Sequence, residues 1–170
     1  MTSTNAVVAD SRTKLEEAKR FLVDMERIEN GQELGHGFSE LFSAYANACY
    51  SALNYLEKLE GDIGRCIGTF KRSDSMYKGR CGLRSQDVHD RPVRAGPRPY
   101  EPPRGDQVNA NLQEYTPPDG GEVNVTLIQG KYYFADQSLS QEPVVCLCRN
   151  HLKGIETLLC HCMKQLGCCP

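Results

Sequence analysis

FSELFSAYANACYSALNYLEKL, residues 38–59, decides the fold. Phe38, Leu41, Phe42, Tyr45, Cys49, Ala52, Leu53, Leu56 and Leu59 recur every three or four positions for about six turns, the period of a helix with one apolar face. Such a stripe has to lie along a partner, because leaving it in water forfeits the burial that holds a helix of this kind.

Upstream, Leu15, Ala18, Leu22 and Met25 repeat the pattern and predict a helix over 13–29. Thr13 and Glu16 suit a capping box at its start, and Asn30-Gly31 suits its end. Downstream of Gly61 and Gly64 the period weakens. Ser73-Asp74 is placed as an N-cap for a third, shorter helix that runs to Val88 or His89, where Pro92 biases Arg91 away from helical geometry. Residues 91–121 hold seven of the nine prolines and no periodicity, which predicts an irregular, exposed segment. In EVNVTLIQGKYYFAD, residues 122–136, two β-prone runs flank Gln129-Gly130, the pattern of a hairpin. A last helix follows, with Ser140 as N-cap and Pro143 in its first turn. Cys148, Leu152, Ile155, Leu159, Cys162 and Leu166 form its stripe, and Gly167 follows its end.

The expected fold is mainly α: one domain over 1–170, an up-and-down bundle of about four helices. A proline-rich and β-hairpin insertion (91–140) separates helices three and four. Helices one, two and four are expected to sandwich helix three. The apolar stripe of 38–59 also suggests a homodimer, in which a second copy supplies cover.

Composition sets the class. With 39% apolar and 25% charged residues and no apolar run long enough for a membrane span, the chain reads as soluble, without membrane partners. The first twenty residues have no basic segment followed by an apolar one, so a cytoplasmic location is expected. Nine cysteines are then expected as free thiols. Cys146/Cys148 and Cys160/Cys162 stand two apart, which points each pair in opposing directions on a helix; zinc pairs prefer two to four intervening residues. Cys148 and Cys162 instead fall on the apolar stripe, where a reduced thiol packs as a small hydrophobe, while Cys168 and Cys169 lie beyond it. No metal is expected. No cofactor is expected either, since the chain has neither a phosphate-cradling glycine motif nor a nucleophile elbow. His36, His151 and His161 have no evident partner.

The formal net charge of −2 is unevenly spread. Between residues 65 and 104 lie ten Lys/Arg (Arg65, Lys71, Arg72, Lys78, Arg80, Arg84, Arg91, Arg94, Arg98, Arg104) against Asp74, Asp87, Asp90 and Glu101, a local +6. A polyanion is drawn there or nowhere, although a solvated basic loop has the same composition.

Inside this window Arg84 and His89 stand five apart, in CGLRSQDVHDRP, residues 81–92. The spacing alone is common: twelve Arg and four His give about one such match by chance in a chain of this composition. Its setting adds weight, a basic segment after two long amphipathic helices. There the chain resembles the higher-eukaryote-and-prokaryote nucleotide-binding (HEPN) family, whose helical bundles carry an Arg, four to six residues and a His. The resemblance covers the layout of roughly 13–90 and 143–166. It implies a metal-independent endoribonuclease, or an inactive relative, that dimerises with both motifs at the interface, in a toxin or phage-defence setting. Arg84 and His89 take the family's catalytic positions; Ser85 stands where active members usually carry Asn, Asp or His. The chemistry is coherent by itself, since ribose 2′-hydroxyl attack on phosphate needs a proton-transfer group and a cation. Arg80, Arg91 and Arg94 are the candidate RNA-binding residues beside the pair. The competing expectation is a non-catalytic, dimerising helical interaction module, with the basic proline-rich arm meeting a protein partner.

Overall fold

The computed structural model describes residues 4–32, 37–59, 61–78, 82–84, 93–97, 130–136 and 139–166. Helix α1 spans Thr4–Glu29, nine residues longer at its start than the sequence pattern predicts. Val7, Val8 and Ser11 carry the buried face a further two turns towards the N-terminus, so the helix has apolar cover there and continues. Thr13 consequently sits mid-helix and its hydroxyl donates to the Ala9 carbonyl at 3.1 Å, which replaces the expected capping box. The end falls where Asn30-Gly31 places it. Gly31 takes a φ of 67°, its N–H donates to Ile28 O, and the Gln32 N–H reaches back to Arg27 O, the paired closure that a left-handed glycine permits.

Helix α2 (Phe38–Glu57) is the spine of the molecule. Phe38, Phe42, Tyr45, Cys49, Ala52, Leu53 and Leu56 are buried along it as the stripe requires. Helix α1 lies along it in the most extensive helix pairing of the described residues. Helix α3 (Asp62–Ser73) and helix α4 (Val144–Gln165) complete the bundle. The cover that the 38–59 stripe demands is thus supplied within one chain, and the stripe needs no second copy.

The helix expected from Ser73-Asp74 to Val88 or His89 is corrected at its start: α3, which the sequence pattern does not announce, ends at Ser73, the extended backbone of Asp74 follows, and the Asp74 carboxylate accepts the Met76 N–H at 2.8 Å to open a turn. Leu83 and Arg84 are helical, while 79–81 and 85–92, and with them most of the expected helix and its place among the others, lie outside the described residues. Helix α3 lies against α2. It buries only Ile63, Ile67 and Gly68 and leaves its charged face in water, while α2 takes the central position because its stripe is the longest and widest.

The β insertion is present, and β2 has a partner that the sequence reading did not foresee. β1 (Ala95–Pro97) pairs antiparallel with β2 (Tyr132–Phe134), Ala95 opposite Phe134 and Pro97 opposite Tyr132. Residues 95–97, expected as irregular, are therefore a strand; Pro97 stands at its end, where the missing N–H costs least. The run 122–129, expected as the pairing partner, lies outside the described residues, as does most of 91–121. Aromatic anchoring explains the observed site. Tyr132 stacks on Phe38 at 4.1 Å between centroids, and Phe134 meets Phe42 edge-on at 5.0 Å. The ribbon is tied down by Ala95 N–H to Ser39 Oγ and by Tyr132 N–H to Glu29 Oε1, both 3.0 Å.

Helix α4 begins at Val144 with no side-chain cap; Ser140 closes a separate turn by accepting the Glu142 N–H. Its stripe of Cys148, Leu152, Ile155, Leu159 and Cys162 is buried as the period predicts. Gly167 lies outside the described residues. Among those described, no helix is long and apolar enough to cross a membrane.

Leu53 is fully buried at the heart of α2, whereas Val23 on α1 is 44% exposed. Leu53→Ala is expected to destabilise the fold by about 2–5 kcal/mol and Val23→Ala by no more than about 0.5 kcal/mol, measured by denaturant unfolding.

Candidate phosphate-binding site

Arg84 owes its place to a close turn. The N–H of Leu83 donates to Ser75 O and that of Arg84 to Met76 O at 3.0 Å, which folds residues 82–84 back onto 74–78. Gly82 makes this approach feasible, because a Cβ there would stand 2.6 Å from the carbonyl carbon of Tyr77. The Arg84 side chain is then laid across α2. Its Nε donates to Asn47 Oδ1 at 3.1 Å, and its guanidinium carbon sits 4.0 Å from the centre of the Tyr50 ring. Asn47 and Tyr50 are three apart, so one helical face presents both.

A second cation meets the same ring. Lys71 Nζ lies 4.4 Å from the Tyr50 centroid, yet it also donates to Asn54 Oδ1 at 2.7 Å and to Glu57 Oε2 at 2.6 Å. Lys71 is neutralised and serves to brace α3 on α2. Arg84 differs, since among the described residues no carboxylate forms an ion pair with it and only its Nε is committed to a neutral amide. Its terminal nitrogens keep the fork that suits a phosphate or carboxylate.

Behind this surface the aromatic contacts run inward. Tyr50 and Tyr77 rings are 5.5 Å apart, and Tyr77 meets the imidazole of His151 edge-on at 5.2 Å. His151 is buried on α4 and does have partners, contrary to the sequence reading. Tyr45 Oη lies 2.7 Å from the Cys148 carbonyl and 3.0 Å from His151 Nδ1. A carbonyl only accepts, so the one hydroxyl proton of Tyr45 goes to Cys148 O; Nδ1 must carry the imidazole proton and donate to Oη. That assignment leaves a lone pair on Nε2. It faces Asp74 Oδ1 at 3.7 Å, too long for a hydrogen bond, and Nε2 has no hydrogen-bonding partner among the described residues.

Burial dominates the electrostatics here. It lowers His151 from its usual 6.5 to about 4, with the Asp74 carboxylate opposing the shift only in part. The imidazole is neutral at pH 7, and its approach to Asp74 is not an ion pair. Burial also pushes the Cys49 thiol up to about 12, and raises Cys148, Tyr45 and Tyr77. These groups keep their protons and are no nucleophiles.

Of the residues that the sequence singles out, Arg84 and Arg94 are described, whereas His89, Ser85, Arg80, Arg91, Cys168 and Cys169 lie outside the described residues. Arg94 is exposed at the start of the ribbon, and its carbonyl accepts the Ala135 N–H. Ala95 is tied to Ser39 and Arg84 to Asn47, eight residues further along α2, or about 12 Å of helical rise. The two arginines therefore lie beside separated stretches of α2. Cys148 and Cys162 are buried, with Cys146 and Cys160 exposed. His161 touches Gln165, and His36 lies outside the described residues.

Asn47, Tyr50 and His151 were not foreseen as site residues. A signal existed for the first two: Asn47, Tyr50, Asn54 and Glu57, at i, i+3, i+7 and i+10, form a polar seam beside the apolar stripe. Comparison with protein-family models, with curated proteins and with solved structures finds no match for this chain.

A buried histidine held neutral makes stability depend on pH. The unfolded chain takes up a proton near pH 6.5 and the folded one only near pH 4, so the contribution is complete above 6.5 and declines as pH falls through that window. The full difference is about 3 kcal/mol. Urea unfolding between pH 7 and 4 is expected to show this loss, and His151→Phe is expected to remove most of it.

Proposed function

We propose that this chain binds RNA with Arg84 as its phosphate-holding residue, and that His89 adds the proton transfer needed for metal-independent cleavage. The observation that carries the reading is the state of Arg84: a guanidinium fixed at Nε, laid over an aromatic ring, and unpaired with any carboxylate among the described residues. Its position inside the +6 segment draws a polyanion to it, and the exposed Arg94 offers a second cation in the same segment. The layout of long helices before a short Arg–His spacing, which resembles the HEPN family, agrees with an RNA substrate. His151 cannot take the catalytic part, because it is buried and neutral behind Tyr77.

In the proposed reaction the ribose 2′-oxygen forms a bond to phosphorus as the bond to the 5′-oxygen breaks. His89 takes the 2′-hydroxyl proton, and water protonates the departing 5′-oxygen; the products are a 2′,3′-cyclic phosphate and a 5′-hydroxyl end. Arg84 stabilises the charge that gathers on the non-bridging oxygens.

Incubation with mixed RNA in EDTA tests the whole. Wild type is expected to bind and cut. His89→Ala is expected to abolish cleavage while it retains most of the affinity; Arg84→Ala is expected to weaken binding about tenfold, to reduce the salt dependence of binding by about one ion, and to stop cleavage. Folded wild-type protein that neither binds nor cuts, indistinguishable from both variants, overturns the reading.

A further inference from the structure

Two groups on the surface of α2 hold the Arg84 side chain. Asn47 Oδ1 accepts from Nε at 3.1 Å, and the Tyr50 ring lies 4.0 Å beneath the guanidinium carbon. A guanidinium has a planar set of donors, so a bond to Nε together with a ring against its face fixes both the direction of the fork and the tilt of its plane. An arginine without such supports loses rotamer freedom when it meets a ligand, and that loss subtracts from affinity. The same contacts settle what Tyr50 does. With Arg84 and Lys71 both over it and Tyr77 tilted against it at 5.5 Å, the ring is engaged and is not a free platform for a nucleobase.

We infer that Asn47 and Tyr50 are positioning residues that hold the Arg84 fork ready for one backbone phosphate, and that this contact reads phosphate and not base identity. The inference rests on the proposed RNA binding and deepens it by naming the substrate feature recognised. Lys71 does not share the task, because Glu57 and Asn54 occupy it. Positioning by a neutral amide preserves the charge of Arg84; a carboxylate in the place of Asn47 would pair with the guanidinium and cancel it.

The test compares Asn47→Ala, Asn47→Asp, Tyr50→Leu and Arg84→Ala in the full chain. It uses oligo-U and oligo-A over a range of salt, with folding checked by denaturation. Asn47→Ala is expected to weaken both oligomers by the same three- to tenfold factor, with an unchanged slope of log affinity against log salt, since Arg84 still neutralises its phosphate. Asn47→Asp is expected to weaken binding and lower the slope by about one. Tyr50→Leu removes the ring and is expected to weaken both oligomers by a similar factor, again with an unchanged slope. In the Arg84→Ala background, Asn47→Ala is expected to add nothing.

A full additional loss in that background, no loss from Asn47→Ala, or a loss that differs between the two oligomers overturns the inference. The Nε–H resonance of Arg84 in RNA-free protein separates the two readings. If Asn47→Ala moves it to the position of a free arginine while Arg84→Ala leaves RNA affinity intact, the positioning stands and the RNA reading falls. A resonance that Asn47→Ala leaves unmoved sinks the positioning itself.

Discussion

Tyr45 brings a hydroxyl to the middle of a bundle core, where an unpaired one would cost about 1–3 kcal/mol, and the arrangement of α2 against α4 follows from how it is satisfied. Its proton goes to the Cys148 carbonyl and its oxygen takes the proton of His151 Nδ1. Both partners lie on α4, three residues apart, so the bonds fix the register between two helices whose apolar stripes alone would allow sliding. Apolar burial brings these helices together, and the polar triad selects one alignment.

That alignment has consequences at the surface. With His151 fixed against Tyr45, its ring receives the edge of Tyr77, and Tyr77 lies in the turn that Asp74 opens at the end of α3. Residues 82–84 fold back on this turn through Met76 and Gly82, which delivers Arg84 to Tyr50 and Asn47 on α2. A buried phenol and a half-buried guanidinium thus belong to one connected packing arrangement. Helix α2 serves both ends of it, with an apolar stripe towards α1 and α4 and a polar seam towards α3, the turn at 74–78 and residues 82–84.

Charge is distributed with a similar economy. Lys71, Arg149 and Lys19 are each engaged by carboxylates on other helices, and their work is bracing. Exposed pairs of this kind add little to stability, but they remove those cations from the set available to a ligand. Among the described residues, Arg84 is distinguished by being held through neutral groups. Orientation without neutralisation is the physical condition for a cation that is to meet a phosphate.

The sequence by itself determined the helical class, the stripe of α2, the stripe of α4 with its buried Cys148 and Cys162, and the stop at Asn30-Gly31. These depend on periodicity and on the φ of a single glycine, both local properties. It also singled out Arg84, through spacing and charge. Tertiary structure decided the rest. The start of α1 moved to Thr4 because burial of Val7 and Val8 outweighs the preference of Thr13 for a cap. Ser73-Asp74 suits the beginning of a helix as well as the turn after one, and packing of Ile63 and Ile67 on α2 chose the latter. Tyr132 and Phe134 paired with 95–97 because Phe38 and Phe42 offered their rings to aromatic side chains from far along the chain. Asn47, Tyr50 and His151 acquired their roles from distant partners, Arg84 for the first two and Tyr45 for the third. No local pattern specifies which distant side chain a polar group will meet; that is settled only when the helices pack.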